Sequence, residues 1–262
     1  MDLGLKDKVA VITGGSVGIG LGVARAFAAE GARVLIAARD QARAEDEAAL
    51  IARDFGVAAA AHACDVSTAE GCASLLDAAR HVFGGADILV NNAGTGSNET
   101  ILDAPDEKWM AYWNLHVMAA VRLARGFAPM MAERGGGAIL NNASICAAQP
   151  LWYEPIYNVT KAALVMLSKN MAAEFIPMNI RVNAVNPGLI LTPDWVKTAK
   201  ALSVDTGDWQ GYLQSVADEH APIKRFGSVE ELANFFVFLC SDRASYAVGS
   251  TYFVDGGMLR TI

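Results

Sequence analysis

Apolar and polar positions along the chain follow two rhythms. Short apolar runs rich in β-branched residues alternate with longer stretches whose apolar positions recur at helical spacing. Val9 to Thr13 is the first run and ends at a glycine cluster; Gly20 to Glu30 then reads as a helix. Ala32 to Ala38 is the second strand, and Gln41 to Phe55, alanine-rich with one charged face, is the next helix. Ala58 to Cys64 is expected as a third strand. Ser67-Thr68-Ala69-Glu70 has the spacing of a capping box and predicts another helix start. Ile88 to Val90 is the fourth strand.

The second half repeats the alternation. Glu107 to Glu133 predicts one long helical region with a kink near Pro129. Ala138 to Asn142 is a strand, Tyr157 to Phe175 a helix, and Arg181 to Val185 a strand. Ser228-Val229-Glu230-Glu231 is a second capping box, opening a helix to about Leu239, and Thr251 to Val254 is the last strand. Strands separated by helices imply right-handed crossovers. The expected fold is α/β: a single-domain, Rossmann-type, doubly wound parallel sheet with helices on both faces, spanning 1–262. Residues 192–227 show no strand pattern and are expected to form a long irregular lid over a substrate site.

Composition narrows the function classes. The 262 residues are 53% hydrophobic and 19% charged, ample for a large core. A net charge of −7 and a pI near 5.1 do not suit a polyanion, so nucleic acid is not an expected partner. No run of ~18 apolar residues is present, so no membrane span is expected. The first residues lack the basic and apolar regions of a secretory signal, and a cytoplasmic location is expected. Cys64, Cys72, Cys146 and Cys240 form no C-x-x-C pair and read as small buried hydrophobes; the four histidines show no ligand spacing, so no metal is expected.

The candidate chemistry starts at Thr13-Gly14-Gly15-Ser16-Val17-Gly18-Ile19-Gly20, between the first strand and the first helix. Glycines there allow a tight turn and close approach of backbone N–H groups to a pyrophosphate at a helix N-terminus. The spacing is G-x-x-x-G-x-G rather than G-x-G-x-x-G. With Thr13 before it, this stretch resembles that of the short-chain dehydrogenase/reductase family. Asn91-Asn92-Ala93-Gly94 resembles the family's N-N-A-G motif, Tyr157-Asn158-Val159-Thr160-Lys161 its Y-x-x-x-K, and Asn186-Pro187-Gly188-Leu189-Ile190-Leu191-Thr192 its P-G-x-x-x-T. The motifs occur in order along essentially the whole chain, which is similar to members known as 3-oxoacyl-acyl-carrier-protein reductases.

The resemblance implies an oxidoreductase that interconverts a ketone and a secondary alcohol by hydride transfer. It makes Asn114, Ser144, Tyr157 and Lys161 the catalytic tetrad. Tyr157 would be the general acid/base, its phenol lowered by the Lys161 ammonium and a positive nicotinamide ring. Ser144 would hydrogen-bond the substrate oxygen, Lys161 would hold the nicotinamide ribose, and Asn114 would support a water linked to Lys161. Gly14, Ser16, Gly18, Ile19 and Gly20 would contact the cofactor, as would Asp65, Val66, Asn92, Ala93, Gly94, Pro187, Gly188, Ile190 and Thr192. Arg39 follows Ala38, which stands where NAD-preferring members carry Asp, so NADP(H) is expected and NAD(H) is the alternative. An NAD-dependent alcohol, sugar or hydroxy-acid dehydrogenase is the second functional reading, and a non-catalytic cofactor-sensing protein the third.

Ser144, Cys146, Trp152, Tyr157, Leu189 and Trp195 are expected to line an apolar, partly aromatic pocket for a small carbonyl or alcohol substrate. Ala173 stands where carrier-protein-dependent relatives place an arginine, which argues against a carrier-bound substrate. The family resemblance also implies a homotetramer.

Overall fold

A computed structural model describes residues 1–260; the last two positions of the 1–262 span lie outside the described residues. Among the described residues seven strands form one parallel sheet: β1 (Val9–Thr13), β2 (Arg33–Ala38), β3 (Ala59–Ala63), β4 (Ile88–Asn91), β5 (Gly137–Asn142), β6 (Ile180–Pro187) and β7 (Thr251–Val254), in the order β3-β2-β1-β4-β5-β6-β7. Helices cover both faces, as the alternating pattern predicts.

The central strands β1 and β4 are buried throughout and carry near-continuous apolar runs because neither face meets water, whereas the edge strands β3 and β7 are partly exposed. Ala10 and Ile12 of β1 point into one core layer, with Phe27 of α1 (Gly18–Ala29), Ile51 of α2 (Gln41–Phe55) and Phe236 of α9 (Val229–Cys240). Val9 and Val11 point into the other, with Leu75 of α3 (Ala69–Phe83), Phe127 of α5 (Ala119–Glu133) and Phe175 of α6 (Pro155–Phe175). Period-2 alternation thus divides one strand between two cores.

Strand order reverses between β1 and β4. Chains leaving these strands diverge to opposite faces and open a crevice at the carboxyl ends, where ligands of doubly wound sheets bind.

Several local expectations need correction. Residues 107–133 are not one helix, and Pro129 lies inside an uninterrupted α5. The break falls between α4 (Asp106–Trp113) and α5, where Asn114–Met118 forms a π-type turn. The cap of α3 is Thr68, whose hydroxyl accepts from the Gly71 N–H at 2.9 Å; Ser67 instead donates its N–H to Asp65. The capping box of Ser228 and Glu231 is present as expected. The 192–227 segment is helical rather than irregular. It holds α7 (Pro193–Leu202) and α8 (Trp209–His220), each started by a capping side chain, Thr192 and Asp208. Its ends are tied by Gly227 N–H to Leu189 C=O and Leu191 N–H to Gly227 C=O, both 2.9 Å.

Candidate active site

The crevice begins where β1 stops. The Thr13 hydroxyl donates to the Val90 carbonyl and accepts from the N–H groups of Asn92 and Ala93, both at 3.0 Å, locking the end of β1 to the turn after β4. Gly14 then takes φ = 65°, a left-handed turn that favours glycine. A Cβ on Gly20 would stand 2.1 Å from the Gly14 carbonyl, so α1 packs this closely only with glycine there. The cap of α1, Val17, has an extended backbone and no side-chain hydrogen bond, which leaves the first helical N–H groups facing the crevice. Ser16 is buried beside them. A dinucleotide fits this cradle: the turn has the shape that a side chain would fill, and the helix end presents donors to an anion.

Residues expected at the adenine end come from the ends of β2 and β3. Arg39 is exposed at the end of β2 and makes no ion pair among the described residues. Asp40 does not neutralise it; its carboxylate caps α2, accepting from the Arg43 N–H at 3.1 Å. Asp65 accepts from the Ser67 N–H, and this bond, aided by the charge of Arg39, holds the carboxyl below its usual range. Val66 beside it is buried.

Residues expected at the nicotinamide end come from β6. Pro187 and Ile190 are buried, and the Gly188 N–H donates to the Val254 carbonyl at 3.0 Å. A Cβ on Gly18 would lie 3.7 Å from Thr192 Cγ2, so the chain after β6 folds back to the start of α1.

Tyr157 and Lys161 stand one turn apart on α6 and face the crevice. Lys161 is 4% exposed, and its Nζ donates to the Asn142 carbonyl at 2.7 Å and lies 5.3 Å from the Tyr157 ring centre. Ser144, buried just past β5, caps the short turn Ile145–Ala147; its Oγ accepts from the Cys146 N–H at 3.2 Å. Burial lowers the Lys161 ammonium to about 8. Burial, reinforced by Cys146, raises the Tyr157 phenol above its usual value, while the Ser144 hydroxyl opposes that shift. Desolvation thus outweighs the lowering that the family resemblance implies for Tyr157.

Asn114 does not turn its side chain to Lys161. Its Oδ1 accepts from Arg122 at 3.2 Å, and its carbonyl accepts the Ala119 N–H within the π-type turn. That turn brings in a residue the sequence reading missed. His116 is 3% exposed, packs edge-on against Tyr157 with ring centres 5.6 Å apart, and lies 2.9 Å from Thr160 Oγ1. The Thr160 hydroxyl already donates to the Ile156 carbonyl, so His116 Nδ1 is the donor and Nε2 accepts the Thr95 N–H at 3.3 Å. Both ring nitrogens are thus used by a neutral imidazole. Burial, with the Lys161 charge, holds the imidazole at about 3.

A second missed group lies opposite. Glu154, half-buried one residue before α6, hydrogen-bonds through its backbone, but its carboxylate has no hydrogen bond or ion pair among the described residues. Burial and the nearby Glu99 raise its carboxyl to about 7. Glu99 itself is anchored: Lys108 pairs with it and Ser97 donates to it at 2.8 Å, which together outweigh burial and keep it below the usual range. The loops of the two glutamates are joined by Glu99 N–H donating to the Tyr153 carbonyl at 3.1 Å.

The expected substrate wall is only partly assembled. Cys146 is buried with its thiol pushed up by desolvation, as suits a wall residue. Leu189 and Trp195 are half-buried, and Trp195 packs edge-on against Phe226 at 5.2 Å. Trp152 is 84% exposed and packs edge-on against Tyr153, with ring centres 5.4 Å apart. The Asn158 carboxamide grips Leu151 through both its N–H and its C=O, and the next residue is thrown outward. Tyr153 is the half-buried aromatic of this loop instead.

Comparison with known proteins agrees with this arrangement. A family model described as enoyl-(acyl carrier protein) reductase matches residues 14–259. The rabbit (Oryctolagus cuniculus) dehydrogenase/reductase SDR family member 4 is 37% identical over 97% of this chain and 94% of its own length. The crystal structure of L-sorbose reductase from Gluconobacter frateurii, complexed with NADPH and L-sorbose, is 67% identical over the full length of both chains, with a TM-score of 0.99. An NADPH-bound short-chain oxidoreductase from Pseudomonas aeruginosa PAO1 is 32% identical over 98% of this chain and 100% of its own, with a TM-score of 0.91. On the family model, the full-length relatives and the shared topology together, the chain belongs to the short-chain dehydrogenase/reductase family, oxidoreductases that interconvert CH–OH and C=O groups with NAD(P).

Proposed function

We propose that this protein is an NADPH-dependent reductase of a polyhydroxylated ketone, interconverting a ketose and its polyol. The observation that carries the reading is the Glu154 carboxylate. It is half-buried and unpaired among the described residues, on the residue that precedes α6 and three positions before Tyr157. A carboxylate in that place accepts hydrogen bonds from substrate hydroxyls and repels an acyl chain. The L-sorbose bound by the 67% identical reductase is a substrate of this class. NADPH in that relative, and the unpaired Arg39 here, support NADP(H) over NAD(H), because a guanidinium pairs with a 2′-phosphate.

In reduction the bound nicotinamide supplies hydride to the carbonyl carbon. Ser144 donates a hydrogen bond to the carbonyl oxygen, and Tyr157 delivers the proton that completes the hydroxyl. Lys161, held by the Asn142 carbonyl, places a positive charge beside the phenol as the proton leaves. His116 packs edge-on against the Tyr157 ring and does not exchange protons, since both nitrogens are engaged. Asn114 acts through the π-type turn that presents His116 rather than through its own carboxamide. The helices of 192–227 close the outer wall with Leu189 and Trp195. Exposed Met166 of α6, Phe235 and Phe238 of α9 and Phe253 of β7 support the expected homotetramer, whose mass light scattering measures.

The test is turnover of NADPH with L-sorbose, with an apolar ketone and with an acetoacetyl thioester, and again with NADH. The expected result is kcat/KM for the ketose at least ~100-fold above either alternative. An apolar ketone or thioester reduced as well as the ketose would overturn the substrate reading; preference for NADH would overturn the cofactor reading.

A further inference from the structure

Side-chain amides link the glycine turn to Asn142, whose main-chain carbonyl holds the reactive lysine. Asn92 Nδ2 donates to the Thr13 carbonyl at 2.9 Å and to the Gly14 carbonyl at 3.3 Å. Asn142 Nδ2 donates to Asn92 Oδ1 at 2.8 Å. Lys161 Nζ donates to the Asn142 carbonyl at 2.7 Å. The orientation of each amide follows from the one before. The carbonyls of Thr13 and Gly14 require nitrogen from Asn92, so its oxygen faces Asn142. That oxygen requires nitrogen from Asn142. The atom left over is Asn142 Oδ1, which is buried and has no hydrogen-bond partner.

A buried acceptor without a donor is costly, and such atoms are few in folded proteins. Asn142 Oδ1 sits at the carboxyl end of β5, two residues before Ser144, between the Asn92–Gly94 turn and Lys161. The crevice passes there between the phosphate cradle and Tyr157. Asn142 lies outside the glycine-rich, N-N-A-G, Y-x-x-x-K and P-G-x-x-x-T stretches, and nothing about it is legible as chemistry in the sequence.

We propose that Asn142 is a positioning residue that couples the cofactor cradle to Lys161 and offers its free amide oxygen to a hydroxyl donor on the nicotinamide-ribose half of the bound cofactor. Occupancy of the crevice then satisfies the buried oxygen and steadies the Lys161 anchor in one event. The inference rests on the dinucleotide reading of the site but not on the identity of the ketone.

The test compares two probes on the full-length protein. NADPH carries both halves of the cofactor; 2′,5′-ADP carries only the adenosine half. Both are titrated calorimetrically against wild type, Asn142→Leu and Asn142→Ser, with circular dichroism and thermal midpoint to confirm folding. The serine hydroxyl stops one bond short of both amide atoms, so it too removes the acceptor, and as a smaller polar side chain it keeps the test open if leucine disturbs the fold. The expected result is an NADPH Kd raised about tenfold in both variants, with the Kd for 2′,5′-ADP within about twofold of wild type. kcat for the reducible ketone should fall while its KM holds, because the proposed contact is to the cofactor. An NADPH Kd within twofold of wild type in a folded variant would overturn the inference. Equal losses for both probes would overturn it too, since that marks collapse of the whole crevice. Wild type that binds neither probe would bring down the cofactor reading and this inference with it; wild type that binds both while the variants match it sinks only the role of Asn142.

Discussion

The cradle at the ends of β1 and β4 and the rim at the ends of β5 and β6 are built on different principles. In the cradle the binding groups are backbone: a left-handed Gly14, a Gly20 that lets α1 pack on the Gly14 carbonyl, and helix N–H groups with no side-chain cap. Its polar side chains, Thr13 and Asn92, spend their hydrogen bonds on the chain itself. At the rim the working groups are side chains whose ionisation has been moved by burial: Tyr157 upward, Lys161 to about 8, Glu154 to about 7. A pyrophosphate has one shape, and fixed backbone suits it. A carbonyl needs a proton delivered and hydroxyls sorted, which backbone amides cannot do.

The contrast is open to direct attack, starting with the largest effect. Tyr157→Phe removes the rim's proton donor and leaves the cradle untouched. It should lower kcat/KM about 10³-fold while the NADPH Kd stays near wild type. Loss of NADPH affinity in parallel would show that rim and cradle are not separable. Arg39→Asp works on the cradle alone. It should raise the NADPH Kd about tenfold or more and leave NADH nearly unchanged, measured by quenching of tryptophan fluorescence. Equal NADPH affinity would mean that Arg39 is only a surface charge.

The smallest effect is one of pH. Glu154 is neutral below about 7 and ionised above it. An ionised carboxylate accepts hydroxyl hydrogen bonds more strongly, so KM for a polyhydroxylated ketone should fall severalfold between pH 6 and pH 8. In Glu154→Gln that dependence should flatten. A profile unchanged by the substitution would remove Glu154 from substrate recognition. The same shift affects stability in the opposite sense. The folded state binds the Glu154 proton more tightly than the unfolded chain does, so this group's contribution is present at low pH and is lost as pH rises through about 7.

What was legible in the sequence follows from what is local. The alternation of Val9–Thr13 and its successors with helical stretches identifies the parallel sheet, because a strand covered on both faces must be apolar throughout. The glycine spacing marks the turn because only glycine fits there. The helices of 192–227 were also within reach: Thr192-Pro193 and Asp208 are cap signals, overlooked because the segment lacks strands. The exposure of Trp152 was not legible, because the Asn158 grip on the preceding Leu151 joins residues seven positions apart. His116 and Glu154 left no local trace. One gains its meaning from Thr160 and Thr95, the other from Glu99, each brought from another part of the chain.

By itself, then, the sequence determined the sheet, the family and the order of the motifs, since each depends on periodicity or on residue types a few positions apart. Only the tertiary structure decided which groups stay charged and which acceptors stay free. Burial of Tyr157, the neutral tautomer of His116, the raised carboxyl of Glu154 and the unpaired oxygen of Asn142 are set by what lies within a few ångströms, and those neighbours come from strands and helices distant in the chain.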